Sequence, residues 1–204
     1  MATEELLIVF VKNPREGRVK TRLAESVGDK EALRIYNQLL QYTLDIVKPL
    51  EIDVQVWYSE YIPLNDIWDT IGAQKRTQVG KDLGERMKHA FDCALDDRYN
   101  RVAIIGSDCA ELTTEIIRDA FNELKSQDTV IGPSKDGGYY LLGMDDHYQQ
   151  LFDDKEWSSE SVYAETITSI EDLNLTYSEL PRLNDVDTLE DWQDIKIRFV
   201  NSSK

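Results

Sequence analysis

Leu6-Leu-Ile-Val-Phe-Val11 and Arg101-Val-Ala-Ile-Ile-Gly106 decide how this chain is read. Each is a short apolar run without polar alternation, bounded by polar residues. A strand that is apolar on both faces has to be covered on both faces, and such strands belong to parallel sheets. Around them lie segments of a different period. Ala32, Tyr36, Leu39, Leu40, Leu44 and Val47 recur at helical spacing from near Asp29. So do Leu83, Met87, Ala90, Phe91, Ala94 and Leu95, and then Ile116, Ile117, Ala120, Phe121 and Leu124. Residues 52–58 alternate as a strand, and 74–79 form a weaker strand after a short helix at 64–70. Residues 129–133 and 139–143 read as strands joined by a glycine-rich turn. A helix over 161–173, a short strand near 176–180 and a last helix from Leu189 complete the order.

Strands separated by helices imply right-handed crossovers and an α/β fold, with a mostly parallel central sheet flanked by helices. No linker, repeat or low-complexity segment interrupts residues 1–204, so a single domain is expected. Ligands of such sheets gather at the carboxyl ends of the strands, which directs attention to the loops there.

The 39 acidic and 23 basic residues leave a formal net charge of −16. A surface of that sign repels nucleic acid and anionic membranes, so neither is expected as a partner. The longest apolar run is far too short to span a bilayer, and Glu4 and Glu5 stand where a signal peptide carries basic residues. Cys93 and Cys109 have no metal-ligand spacing and suit a reducing compartment; a cytoplasmic protein, monomer or homodimer, is expected.

Against this acidity, residues 12–22 read Lys-Asn-Pro-Arg-Glu-Gly-Arg-Val-Lys-Thr-Arg. Lys12, Arg15, Arg18, Lys20 and Arg22 face a single Glu16, directly after the first strand. A solvated loop paired with surrounding acids is one reading. The position and the reversal of sign favour a phosphate site, with lysine as a point charge, arginine holding two oxygens and Gly17 allowing close backbone approach. Pro14 and Val19 exclude a Walker loop, and no G-x-G-x-x-G is present.

Asp108 follows the strand that ends at Gly106 and so stands at the same sheet edge. It is a candidate ligand for Mg²⁺ or Mn²⁺, which take oxygen donors and bridge to phosphates; the alternative is a cap for the helix near Thr113. Asp185 and Asp187 precede the last helix, for which Thr188 and Asp191 make an approximate capping box. Either could supply a second carboxylate, with Asp187 preferred. Lys135-Asp-Gly-Gly-Tyr-Tyr140 is a turn whose Asp136, Gly137 and Gly138 could also contact ligand or acceptor. Glu85 and Arg86, opening a helix, could touch a base or ribose or be solvated. Trp157 could shape an acceptor pocket or belong to the core.

The motifs Val11-Lys-Asn-Pro-Arg-Glu-Gly, Lys20-Thr-Arg-Leu-Ala24, Gly84-Glu-Arg-Met87, Gly106-Ser-Asp-Cys109, Asp136-Gly-Gly-Tyr139 and Asp185-Val-Asp-Thr188 occur in that order. Together they resemble a bacterial family of glycosyltransferase-like proteins with the GT-A, nucleotide-diphospho-sugar transferase fold. Some of its members are named radical-SAM-associated or arsenosugar-biosynthesis transferases. The resemblance covers nearly the whole chain and implies that Asp108 takes the place of the metal-binding aspartate. Ala110 stands where the family usually has proline, and Ser107-Asp108 replaces the Asp-x-Asp of many glycosyltransferases. The Lys12…Lys20-x-Arg22 pattern also resembles phospholactate guanylyltransferases and, more remotely, molybdenum-cofactor guanylyltransferases. Three functions are therefore carried forward: glycosyl transfer from a nucleotide-sugar to a small-molecule acceptor, nucleotidyl transfer from a nucleoside triphosphate with release of pyrophosphate, and a non-catalytic nucleotide-binding module.

Overall fold

The computed structural model describes residues 4–97 and 99–201; residues 1–3, 98 and 202–204, which the expected domain includes, lie outside the description. Seven strands form one sheet in the order β3-β2-β1-β4-β6-β5-β7. They are β1 (Glu5–Val11), β2 (Asp53–Tyr58), β3 (Gln74–Thr77), β4 (Arg101–Ile105), β5 (Thr129–Pro133), β6 (Tyr139–Met144) and β7 (Tyr177–Glu179). Only β6 runs antiparallel to its neighbours β4 and β5. Because β1, β2, β3 and β4 pair in parallel, and β5 with β7, the loops after β1, β4, β5 and β7 all emerge at one edge.

The helices are α1 (Thr21–Val27), α2 (Asp29–Val47), α3 (Leu83–Asp97), α4 (Thr114–Glu123), α5 (Val162–Asp172) and α6 (Leu189–Asn201). The period-2 geometry of β1 sends Leu7, Val9 and Val11 to one face, under Tyr36, Leu40 and Leu44 of α2 and Ile117 and Phe121 of α4. Leu6 and Ile8 go to the other face, under Met87, Ala90 and Phe91 of α3 and Ile170 of α5. This explains the unbroken apolar run: both faces are roofed, and each fully buried aliphatic side chain contributes about 1.5–3 kcal/mol. A third cluster, Leu23, Ile35, Leu39, Val186 and Trp192, ties α1, α2 and the approach to α6 together.

Several expected boundaries move. The chain after Lys20 is not loop but the short helix α1, which lacks the usual N-cap: Lys20 caps it in a left-handed conformation without a side-chain bond. Gly28, at φ 83°, then turns the chain directly into α2. The segment expected as a helix at 64–70 is a single 3-10 turn, Ile67–Ile71, and the third strand ends at Thr77. Val79, expected to end the third strand, and Leu83, expected on the apolar stripe of a helix, are 54% and 43% exposed.

Candidate active site

The basic loop is anchored at both ends and exposed in its middle. Asn13 is buried; its Oδ1 accepts from the amides of Glu60 (2.9 Å) and Tyr61 (3.3 Å), while Nδ2 donates to the Tyr61 carbonyl (2.8 Å). The Tyr36 hydroxyl, from α2, accepts from the Lys12 amide at 2.9 Å and donates to the Lys12 carbonyl at 3.0 Å. It also lies 3.2 Å from Ser107 Oγ, which joins the loop after β1 to the loop after β4. Burial pushes the Tyr36 phenol up to about 12, so it stays a neutral structural donor. Between these anchors Arg15, Gly17 and Arg18 are exposed, with Gly17 at φ 73° and Arg15 3.1 Å from Glu60.

Val19 and Lys20 then turn inward. Lys20 holds φ 47°, ψ 48°, a left-handed backbone that costs a non-glycine residue about 1–2 kcal/mol. Its side chain is 5% exposed, and Nζ donates to Asp108 Oδ2 (2.7 Å) and Asp187 Oδ1 (2.9 Å). Arg22, on the first turn of α1, approaches the other Asp187 oxygen at 3.5 Å. The backbone completes the assembly: the Val186 amide donates to the Asp108 carbonyl at 3.0 Å, so the two acidic loops are stitched together. Asp108 caps nothing. Thr113 caps α4, and Thr188 with Asp191 forms the expected capping box of α6.

The charge balance here is unusual. Burial opposes the charge of Lys20, but attraction to Asp108 and Asp187 and the two hydrogen bonds raise its pKa overall. Desolvation likewise opposes ionisation of Asp108, yet the Lys20 ammonium and, further off, Lys12 hold its carboxyl below the usual value. Lys20 attracts the charge of Asp185 as well, but there the attraction is outweighed. Burial first, then repulsion from Asp108, with Asp136 and Asp187 contributing, pushes its carboxyl up to about 8. Its buried Oδ1 has no hydrogen-bond partner among the described residues. Two carboxylates, Asp108 and Asp187, therefore hold one buried lysine, and Asp185 is buried close enough to feel all three charges.

The turn after β5 reaches the same place. Asp136 Oδ1 accepts from Ser134 Oγ and from the Gly138 amide (3.1 Å), and the Ser134–Leu183 bridge aligns this turn with the loop before Asp185. Gly137, at φ 88°, lies against the Glu160 carbonyl, and its own carbonyl accepts from Tyr163 at 2.9 Å. Glu85 and Arg86 are engaged locally: Glu85 accepts from the Lys81 amide (2.8 Å), and Arg86 donates to the Gly80 carbonyl (3.1 Å), shaping the loop that opens α3. Trp157 lies on Gly84 and stacks on Phe152, so it packs on the core and flanks that loop.

Among the described residues, no group of three or more His, Cys, Asp or Glu side chains is arranged to hold a metal ion. The donor set still fits a hard divalent cation. Asp108 and Asp187 converge on a single point, a third carboxylate oxygen nearby is orphaned, and Mg²⁺-type sites commonly use one or two carboxylates with substrate phosphates. Sequence reasoning passed over Tyr36, Ser107 and Asn13, whose role is to hold the loops. Tyr36 sits on an apolar helix face, and only its hydroxyl, invisible to periodicity, ties the two loops together.

A parallel sheet with one antiparallel strand between β4 and β5, and with its loops converging beside β1 and β4, is the fold of the nucleotide-diphospho-sugar transferase class. Residues 43–159 match the model of a family described as uncharacterized protein conserved in bacteria (DUF2064), and the chain belongs to that family. A solved structure of a candidate nucleotide-diphospho-sugar transferase from Desulfovibrio desulfuricans G20 is 38% identical; the match covers 91% of this chain and 83% of that one, with a TM-score of 0.84. The fold extends to 4-diphosphocytidyl-2C-methyl-D-erythritol synthase from Anaerococcus prevotii DSM 20548, at 13% identity, coverage of 97% and 96%, and a TM-score of 0.62. It extends also to Rv0371C from Mycobacterium tuberculosis H37Rv, solved with manganese, at 13% identity, coverage of 96% and 98%, and a TM-score of 0.57. No curated protein sequence matches the chain. No helix among the described residues is long and apolar enough to cross a membrane.

Proposed function

We propose that this chain is a divalent-metal-dependent transferase that takes a nucleotide-diphospho-sugar as donor and a small molecule as acceptor, in the cytoplasm. One observation carries the reading: the basic loop after β1 delivers Lys20 onto Asp108 and Asp187, so phosphate-binding and cation-binding groups meet at the crevice between β1 and β4. The relative from Desulfovibrio desulfuricans supports the donor class.

In this reading Lys12, Arg15 and Arg22, with Gly17 allowing close approach, bind the diphosphate and stabilise the charge that develops as the nucleoside diphosphate leaves. Asp108 and Asp187 would hold Mg²⁺ or Mn²⁺, which when bound neutralises phosphate charge as a Lewis acid. The solved manganese complex of Rv0371C, on the same fold, supports that cation class. Asp136, fixed by Ser134 and the Gly138 amide, orients the acceptor hydroxyl, and Gly137 and Gly138 shape the turn that presents it. Glu85 and Arg86 order the loop beside the nucleoside.

A second reading is nucleotidyl transfer. A phosphorylated acceptor would attack the α-phosphate of a nucleoside triphosphate, with pyrophosphate leaving. Five basic residues are ample for a triphosphate, and the likeness to a diphosphocytidyl synthase runs through nearly the whole of both chains. Incubation with nucleotide-sugars or nucleoside triphosphates, Mn²⁺ and an acceptor panel separates the two: nucleoside diphosphate is expected, and pyrophosphate as sole product overturns the first reading. Asp108→Asn is expected to abolish the metal dependence with the fold intact. A nucleotide panel that gives no thermal shift, with or without Mn²⁺, overturns both, because a ligand at 100-fold its Kd adds about 2.7 kcal/mol.

A further inference from the structure

Lys20 is poorly placed to serve only as a phosphate ligand. Its ammonium is buried, and both of its observed partners are the carboxylates expected to hold the cation. Those carboxylates are each 37% exposed, whereas the lysine side chain behind them is 5% exposed. Its left-handed backbone shows that the fold holds it there against local preference.

A divalent ion bonded to Asp108 Oδ2 and Asp187 Oδ1 at about 2.1 Å would lie less than about 5 Å from Nζ wherever it sat, given the 2.7 and 2.9 Å contacts. A doubly and a singly charged cation at that separation repel, and both compete for the same lone pairs. With Lys20 in place the two carboxylates are already satisfied by one positive charge.

We propose that Lys20 is a built-in stand-in for the divalent cation. It holds Asp108 and Asp187 together in the empty enzyme and, when a nucleotide–cation complex enters, moves its ammonium from the carboxylates to the phosphates. The inference rests on the metal-dependent reading above and adds an order to it. The free protein binds the cation weakly, and the nucleotide brings the cation in. Arg22, 69% exposed and 3.5 Å from Asp187, is too peripheral for this role.

The test is Mn²⁺ binding to the full chain without nucleotide, measured by electron paramagnetic resonance or calorimetry. Lys20→Met is expected to bind Mn²⁺ about tenfold or more tightly than wild type, because the competing charge is gone. Arg22→Ala, which removes a neighbouring charge without vacating the position between the carboxylates, is expected to change the affinity by about threefold or less. Should Lys20→Met fail to fold, Lys20→Asn makes the same comparison, since asparagine tolerates the left-handed backbone. A neutral variant that binds Mn²⁺ no more tightly than wild type, no more tightly than Arg22→Ala, or not at all overturns the stand-in. Loss of metal-dependent turnover in the product assay, with this difference in Mn²⁺ affinity intact, would instead overturn the proposed reaction.

Discussion

The Tyr36 hydroxyl grips both backbone polar groups of Lys12, accepting from its amide at 2.9 Å and donating to its carbonyl at 3.0 Å. Through Ser107 Oγ, 3.2 Å away, the same hydroxyl reaches the loop that carries Asp108. One phenol thus couples the basic loop to the carboxylate loop. Tyr36→Phe should strand a partly buried amide and carbonyl, which costs about 1 kcal/mol or more. Thermal denaturation is expected to show that loss, together with a weakened response to nucleotide. A variant as stable as wild type would mean that water replaces the hydroxyl at no cost.

Asp185 sets a pH dependence. Burial, and then repulsion from Asp108, pushes its carboxyl up to about 8 from an ordinary 3.8. Between those values the folded chain holds a proton that the unfolded chain has lost. Its contribution to stability is therefore largest at low pH and is lost as pH rises toward 8. Asp185→Asn removes the penalty. In metal-free buffer its melting temperature is expected to exceed that of wild type at pH 8, by about 2–4 °C for each kcal/mol relieved. The two should converge near pH 4. Parallel curves across that range would refute the assignment.

Gly137 tests the turn after β5 that is proposed to face the acceptor. A Cβ there would meet the Glu160 carbonyl oxygen at 2.0 Å, and the backbone sits at φ 88°. Gly137→Ala is expected to lose more than about 1 kcal/mol in chemical denaturation, from the left-handed cost and the clash together. Turnover should fall through the acceptor, with a raised acceptor KM and unchanged donor affinity. A donor defect of equal size would place the turn on the nucleotide side.

Lys12 is exposed at its side chain while its backbone is held by Tyr36, so its charge can be removed without disturbing the loop. Lys12→Ala is expected to weaken nucleotide binding about tenfold, or 1.4 kcal/mol, and to leave the melting temperature within about 1 °C. Calorimetric titration at two salt concentrations checks this. The deficit should shrink at high salt, as a screened point charge requires.

Much of the fold was legible because burial on both faces leaves a mark on sequence. The runs at 6–11 and 102–105 lie in the middle of the sheet, as expected of strands with helices above and below. The amphipathic stripes of α2, α3 and α4 were equally readable, since a 3.6-residue period is local. The reading failed where no period exists. Helix α1 is seven residues long, buries only Leu23 and starts on a strained lysine without a capping side chain. Leu83 completes an apolar stripe by spacing yet lies 43% exposed, because the stripe outruns the sheet that would cover it.

The basic loop was also plain in the sequence, as five like charges in a chain of net charge −16. Its partner was not. Lys20 meets Asp108 across 88 residues and Asp187 across 167, through a sheet order in which β1 and β4 are neighbours and the loop after β7 returns to the same edge. Strand order and register decide such meetings, and neither leaves a repeating signal along the chain. The sequence by itself determined that an acidic α/β protein carries a strongly basic loop after its first strand. Only the tertiary structure decided that the loop's one buried cation stands between the carboxylates, because burial and pairing are properties of surroundings assembled from distant segments.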